Sequence, residues 1–190
     1  TAANMMRVKP PTDYWWRRRF RELKKELALH IRKQAVPLTS KDLRDILNDT
    51  SAEIDVRHAL RLCWALAIRL GNLKKIKNKD VKIVGKSNQF VELTLRGFKG
   101  WDLGISKCRR FLPLKGPLAP MKHIFVNAAK LDPEAQLLQV RPPRMIKLLK
   151  QRNELYSGHS VRRGAAQLLA NKGVSIARIS EFLMHKSVDM

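Results

Sequence analysis

The chain has 190 residues, with 39 lysines and arginines against 16 aspartates and glutamates, for a formal net charge of +23. A hydrophobic fraction of 44% beside 29% charged residues is a globular composition, which excludes a disordered polycation, and the length suits one domain or one domain with part of a second. So lopsided a charge concerns partners rather than fold; it ranks nucleic acid first and an anionic membrane surface second. In chain order, a helical pattern runs from Asp13 to about Val36, with Trp16, Phe20, Leu23, Leu27 and Ile31 at three- and four-residue steps, and Pro37 ends it. Thr39, Ser40 and Asp42 are N-cap candidates for a short helix through Leu47, and a longer helix is expected over Glu53–Leu70. The period then changes: Val81–Val84 and Phe90–Leu95 read as strands joined by a turn at Gly85–Asn88. A looser stretch, Gly97–Ser106, leads to a third strand, Cys108–Leu114, stopped by Gly116 and Pro117. Helices return over Glu134–Val140, Arg144–Leu155, Ser160–Lys172 and Ser175–His185, with Pro142 and Pro143 breaking the first pair and Gly173 at a C-cap. The order predicts an α+β class: a mainly helical domain with a small three-stranded antiparallel sheet and a helical lead-in.

The excess charge is spread over every quarter of this pattern rather than held in a tail, so a folded surface must display it. The longest apolar run, Leu62–Ile68, is bracketed by Arg61 and Arg69 and is far too short for a span, so no membrane partner is expected. Cys63 and Cys108 sit in unrelated contexts, and no secretory signal pattern is visible. Reduced, packed thiols and an intracellular protein are expected, nuclear if the source is eukaryotic.

No glycine-rich phosphate loop, paired-cysteine zinc spacing or His-Glu-x-x-His stands in the chain, and the five histidines lack metal-ligand spacing. No metal or other cofactor is expected, so phosphate chemistry would rest on cationic side chains. Within Gly158-His159-Ser160-Val161-Arg162-Arg163, positions 159 and 162 share a helix face at the N-terminal turn, where an anion is already favoured. An imidazole and a guanidinium there form a candidate phosphate clamp; the bland alternative is a solvated helix end. Arg69 ends an apolar helical run where an aliphatic residue would serve a core better, and snorkelling to solvent is its alternative. His185 follows the inward face Ile176, Ile179 and Leu183, where a helix-capping histidine is the ordinary reading. Lys99 lies in the loop after the second strand, and Lys107 is its equal rival on composition.

In this order and spacing these residues resemble the catalytic domain of the tyrosine recombinases, the phage-integrase family. Arg69-Leu70-Gly71-Asn72-Leu73, with Ile76, Asp80 and Val81 following, looks like the family's first arginine motif. Lys99 falls where the hairpin lysine sits, Phe111-Leu112-Pro113-Leu114 resembles the closing strand, and His159-Ser160-Val161-Arg162 looks like the His-x-x-Arg box. Leu183-Met184-His185-Lys186-Ser187 resembles the last histidine box, and Gln34–Thr39 the entry from a core-binding domain. The likeness covers Val36 onward, and Gly158–Ala166 is most similar to recombinases of DIRS-type retroelements. Two departures are Asn72, where the family commonly has an acid, and Met184, where it commonly has glycine.

The resemblance implies a core-binding-domain helix and linker over 1–36 and a catalytic domain over 37–190. It implies that Arg69 and Arg162 grip a scissile DNA phosphate, Lys99 acts as general acid, His159 assists proton transfer and His185 hydrogen-bonds the phosphate. A tyrosine would attack to give a 3′-phosphotyrosyl link. That tyrosine should lie roughly nine residues past the last histidine box. Tyr14 and Tyr156 are elsewhere, so the chain is expected to be a fragment unable to cleave in cis. Duplex DNA is the expected partner, contacted through Lys74, Lys75, Lys77, Arg109, Arg110 and Lys122, with self-association on DNA and no small-molecule substrate. Two rivals are a non-catalytic DNA-binding relic of a mobile element and a basic structural RNA-binding protein.

Overall fold

Thr39 opens the first helix as expected: its side-chain oxygen accepts from the Asp42 N–H at 3.0 Å, and α1 runs Ser40–Asn48. The computed structural model describes residues 18, 35–86, 89–97 and 107–184. The chain divides into two compact units, Thr1–Gln34 and Ala35–Met190, and the elements named below belong to the second. The helix expected over 13–36 lies outside the described residues, apart from helical Arg18 and two end residues. Ala35 and Val36 are in neither helix nor strand, because Pro37 disfavours helical geometry in the residue before it.

Helix α2 spans Ile54–Leu66 and stops short of the predicted Leu70. Ala67 is left-handed, with φ of 48°; its N–H bonds Trp64 O at 3.0 Å, and that of Ile68 bonds Cys63 O at 3.1 Å. That pair of bonds is a Schellman termination, usually built on glycine. Arg69 therefore stands off the helix, at the N-cap of a 3-10 helix, Leu70–Lys75. A second short 3-10 turn, Asn78–Asp80, delivers the chain into the sheet.

The sheet is a meander of β1 (Val81–Val84), β2 (Phe90–Arg96) and β3 (Lys107–Pro113), antiparallel throughout, each strand within one residue of its predicted ends. Register pairs Val81 with Leu93 and Leu93 with Arg110. Alternation along β2 buries Val91, Leu93 and Leu95 completely. At the root of the β2–β3 pair the buried Asp80 carboxylate accepts from Arg96 Nε at 2.8 Å and from the Lys77 N–H at 3.1 Å.

A 3-10 segment, Gly116–Met121, leads into α3 (Lys122–Ala128), an element beyond those expected from the sequence. The helix predicted over Glu134–Val140 does not form. Gln136 bridges Lys77, and the Leu137 N–H bonds Ile76 O at 3.0 Å; extended pairing lets Leu137, Leu138 and Val140 reach the core. Pro142 and Pro143 do not break a helix but begin one, α4 (Pro142–Arg152), in the turn where a missing N–H costs nothing. Helix α5 (Ser160–Asn171) ends at Gly173, whose φ of 76° suits the predicted cap, and α6 (Ile176–Leu183) begins at the Ser175 cap.

One core joins Leu38, Leu60, Leu62, Leu66, Ile68 and Leu73 with the sheet's inner face, Met121 and Phe125. A smaller cluster seats α6 on α5 through Ala67, Ala165, Ile179 and Leu183. Helices α2 and α5 meet at Gly164, where an added Cβ would lie 2.0 Å from Leu38 O and 2.6 Å from the Trp64 ring. Both cysteines are free thiols, and burial pushes that of Cys63 up to about 12. Among the described residues no helix is long and apolar enough to cross a membrane.

Candidate active site

The Schellman turn after α2 decides where Arg69 goes. By leaving the helix axis at Ala67 the chain buries Ile68 and swings Arg69 to the wall of an open groove of about 790 Å³. Leu70, Gly71, Asn72 and Lys75 continue that wall. Pro142 and Ile146 of α4 and Gly158 and His159 form the other. Arg69 and His159, far apart in sequence, thus share one cavity, and its lining residues include no aspartate or glutamate.

His159 is exposed at the N-cap of α5, its backbone N–H held by Ser157 Oγ at 3.3 Å. One turn on, Arg162 is only 9% exposed. Its guanidinium donates to Ala67 O at 3.0 Å and to Leu183 O, so one side chain ties the end of α2 to the end of α6. Burial, with the neighbouring charge of Arg69, holds Arg162 well below the ordinary arginine range, at about 10, still cationic at neutral pH.

The carbonyl that Arg162 reaches on α6 precedes Met184, which is left-handed with φ of 55°. A glycine would take that conformation at lower cost. Met184 closes the helix, its N–H bonding Glu181 O at 2.9 Å. Lys99 and His185, expected in the same site, lie outside the described residues, as does Tyr14.

Tyr156 is described and is not among the groove's lining residues. It is 2% exposed, and its hydroxyl donates to the Asp42 carboxylate. Burial and that carboxylate push its pKa above the usual phenol value. Tyr156 is therefore a packing residue, poorly suited to attack.

The candidate DNA contacts divide by environment. Lys74 and Lys122 are exposed, and Lys75 is half-buried at the groove. Lys77 pairs with Glu134 at 2.7 Å and Arg109 with Glu92 at 3.3 Å. Arg110 turns inward: it donates to Phe182 O at 3.1 Å and lies 4.8 Å from the centre of the Phe182 ring, joining β3 to α6. Lys107, the rival of Lys99, lies on β3 opposite Arg96.

Sequence reasoning missed the bracing around these residues. Lys75 donates to the Gly97 carbonyl where β2 ends, and Asp80 holds Arg96 one residue earlier. The available signal was the three-residue step from Arg69 through Asn72 to Lys75, which stacks directly in a 3-10 helix. His58 and His123 also approach, ring centres 5.9 Å apart, but no group of three metal-ligating side chains occurs among the described residues.

No protein-family model matches the chain, and no curated protein matches it. Solved structures do. The site-specific recombinase XerH bound to its difH substrate, in a pre-cleavage complex, superposes with a TM-score of 0.58 at 14% identity, over 80% of this chain and 47% of XerH. Its post-cleavage complex with palindromic difH gives 0.59 at 15% over the same shares. The Tn1549 transposon integrase in complex with circular intermediate DNA gives 0.53 at 16%, over 81% of this chain and 58% of that one. The chain thus spans about half the length of these proteins. Over the part they share, this chain has a tyrosine-recombinase-like fold.

Proposed function

We propose that this chain is the catalytic part of an enzyme that breaks and rejoins DNA strands, in site-specific recombination or in the integration of a mobile element. The observation that carries the reading is the convergence of Arg69 and His159 on one carboxylate-free groove, with Arg162 buried beside Arg69. The DNA-bound recombinase and integrase of like fold support it.

In this reading Arg69 and Arg162 receive the non-bridging oxygens of one phosphate and stabilise the extra negative charge of its pentavalent transition state, with no reorganisation at the moment of reaction. Two carbonyls hold the Arg162 guanidinium in place, and in this reading its remaining N–H groups are the ones that meet the phosphate. His159 takes the proton from an attacking tyrosine hydroxyl. The P–O5′ bond breaks as the P–O(tyrosine) bond forms, and Lys99 gives its proton to the departing 5′-oxygen. His185 hydrogen-bonds the same phosphate. The attacking tyrosine is placed past His185, outside these 190 residues; Tyr156 is unsuited because its hydroxyl is committed to Asp42. Exposed Lys74 and Lys122 add sequence-independent phosphate contacts, and recombining two sites calls for more than one copy on DNA. In this reading residues 1–36 belong to a core-binding domain and residues 37–190 to a catalytic domain, in an element of the DIRS kind.

The test uses a chain carried past Met190 and a nicked duplex that traps the covalent intermediate. Arg69→Ala and Arg162→Ala are expected to abolish the trapped protein–DNA adduct while duplex binding persists. An adduct formed at the normal rate by either variant sinks the reading, and binding without any adduct in the parent protein favours a non-catalytic relic.

A further inference from the structure

The 3-10 helix Leu70–Lys75 supplies more of the groove than its N-cap arginine. Residues three apart eclipse one another in a 3-10 helix, so Arg69, Asn72 and Lys75 form a single ridge, and all three line the groove. Asn72 is buried between the two cations and brings no charge of its own. Lys75 is half-buried, and its bond to the Gly97 carbonyl sets the ammonium at the groove's edge. At a rise of about 2 Å per residue, Arg69 and Lys75 leave the backbone about 12 Å apart along the ridge. That spacing is too wide for one phosphate or for two adjacent ones, and it suits phosphates two steps apart on one strand.

We infer that Lys75 holds a second phosphate on the DNA strand whose reacting phosphate lies at Arg69, so that the ridge Arg69–Asn72–Lys75 tracks the strand through the site. The inference rests on the DNA reading above and deepens it: Lys75 is a positioning residue, setting the register in which the strand meets Arg69 and Arg162. Its tether to Gly97 makes the end of β2 part of the same edge.

Salt dependence tests it on the 190-residue chain, because a lost phosphate contact and a lost structural tether behave differently. Each phosphate neutralised contributes about 0.9 to the slope of log affinity against log salt. Duplex binding is followed by fluorescence anisotropy over a salt series, with Lys75→Gln, which removes the charge but keeps an N–H donor for Gly97, and with Lys75→Arg, which keeps the charge. Lys75→Gln is expected to lower the slope by about 0.9, Arg69→Gln by as much, and the double variant by about 1.8. Lys75→Arg is expected to keep the parent slope. A Lys75→Gln variant that binds more weakly at every salt concentration with the slope unmoved overturns the inference and leaves Lys75 a tether. So does a double variant that loses no more slope than Arg69→Gln alone. If Arg69→Gln also leaves the slope unmoved, the DNA reading of the groove has failed, and not the assignment of Lys75 alone.

Discussion

Arg162 donates to the carbonyl of Ala67, the left-handed residue two positions before Arg69, at 3.0 Å. The bond makes one candidate phosphate ligand a structural support for the other. Its second bond, to Leu183 O, does the same for the turn that leads to His185. The candidate site is thus built around a buried guanidinium with two fixed acceptors.

Lysine cannot span those acceptors. Arg162→Lys keeps a cation but has no planar fork, so one of the carbonyls of Ala67 and Leu183 loses its partner. An unsatisfied buried acceptor costs about 1–3 kcal/mol. Urea denaturation of the DNA-free chain is expected to show a loss of that size, and a midpoint equal to that of the parent would remove Arg162 from its bracing role.

The two left-handed residues predict an inverted response to glycine. Within a helix, alanine to glycine costs about 1 kcal/mol, as expected for Ala166→Gly in α5. At Ala67, with φ of 48°, glycine relieves a conformation that L-residues adopt at a cost of about 1–2 kcal/mol. Ala67→Gly is therefore expected to leave stability unchanged or raise it by up to about 1 kcal/mol. Thermal unfolding of the pair checks this, and an equal loss at both positions contradicts it.

Gly164 answers to space rather than to φ. A Cβ there meets the Leu38 carbonyl at 2.0 Å and the Trp64 ring at 2.6 Å, and neither the backbone nor a packed indole can yield cheaply. Gly164→Ala must push α5 off α2 and strain the Leu38 N–H bond to Ser160 O, now 2.9 Å. The expected loss is at the upper end of overpacking, about 3 kcal/mol or more. Because the displaced helix carries His159 and Arg162, DNA binding measured by anisotropy is expected to weaken too.

The same features decide what could be read from sequence. The sheet was legible because β2 alternates strictly and Gly85 and Gly116 punctuate its ends. The end of α2 was not, because Ala67 occupies a conformation ordinarily signalled by glycine, and the apolar run through Ile68 hides the turn. Residues 134–140 carry a helical spacing of apolar groups, yet pairing to Ile76 and Lys77 overrides it. Pro117 and Pro120 obscured the lead into α3, since local breakers outweigh a seven-residue helix in any reading of spacing. Arg69 was legible as a charge ending an apolar run, and His159 as part of a candidate phosphate clamp at a helix N-terminus. Periodicity alone did not bring the two together, because their shared groove depends on the Schellman turn.

Tyr156 gives the last prediction, and it separates packing from chemistry. Its hydroxyl and that of Thr39 hold the Asp42 carboxyl below the usual carboxylate range, the Tyr156 bond being the larger cause. A carboxylate whose folded pKa is depressed contributes stability that is fully present above its unfolded value near 3.8. That stability is lost as pH falls through the lower folded value. Tyr156→Phe removes the larger cause, so it is expected to lower stability at neutral pH by about 1.5–3 kcal/mol, the range for a hydrogen bond to a charged group. The difference between parent and variant should shrink as Asp42 protonates below that pH. In a chain carried past Met190, Tyr156→Phe should still form the trapped adduct on a nicked duplex. Complete loss of the adduct in a variant that remains folded would make Tyr156 the nucleophile and overturn its assignment to the core.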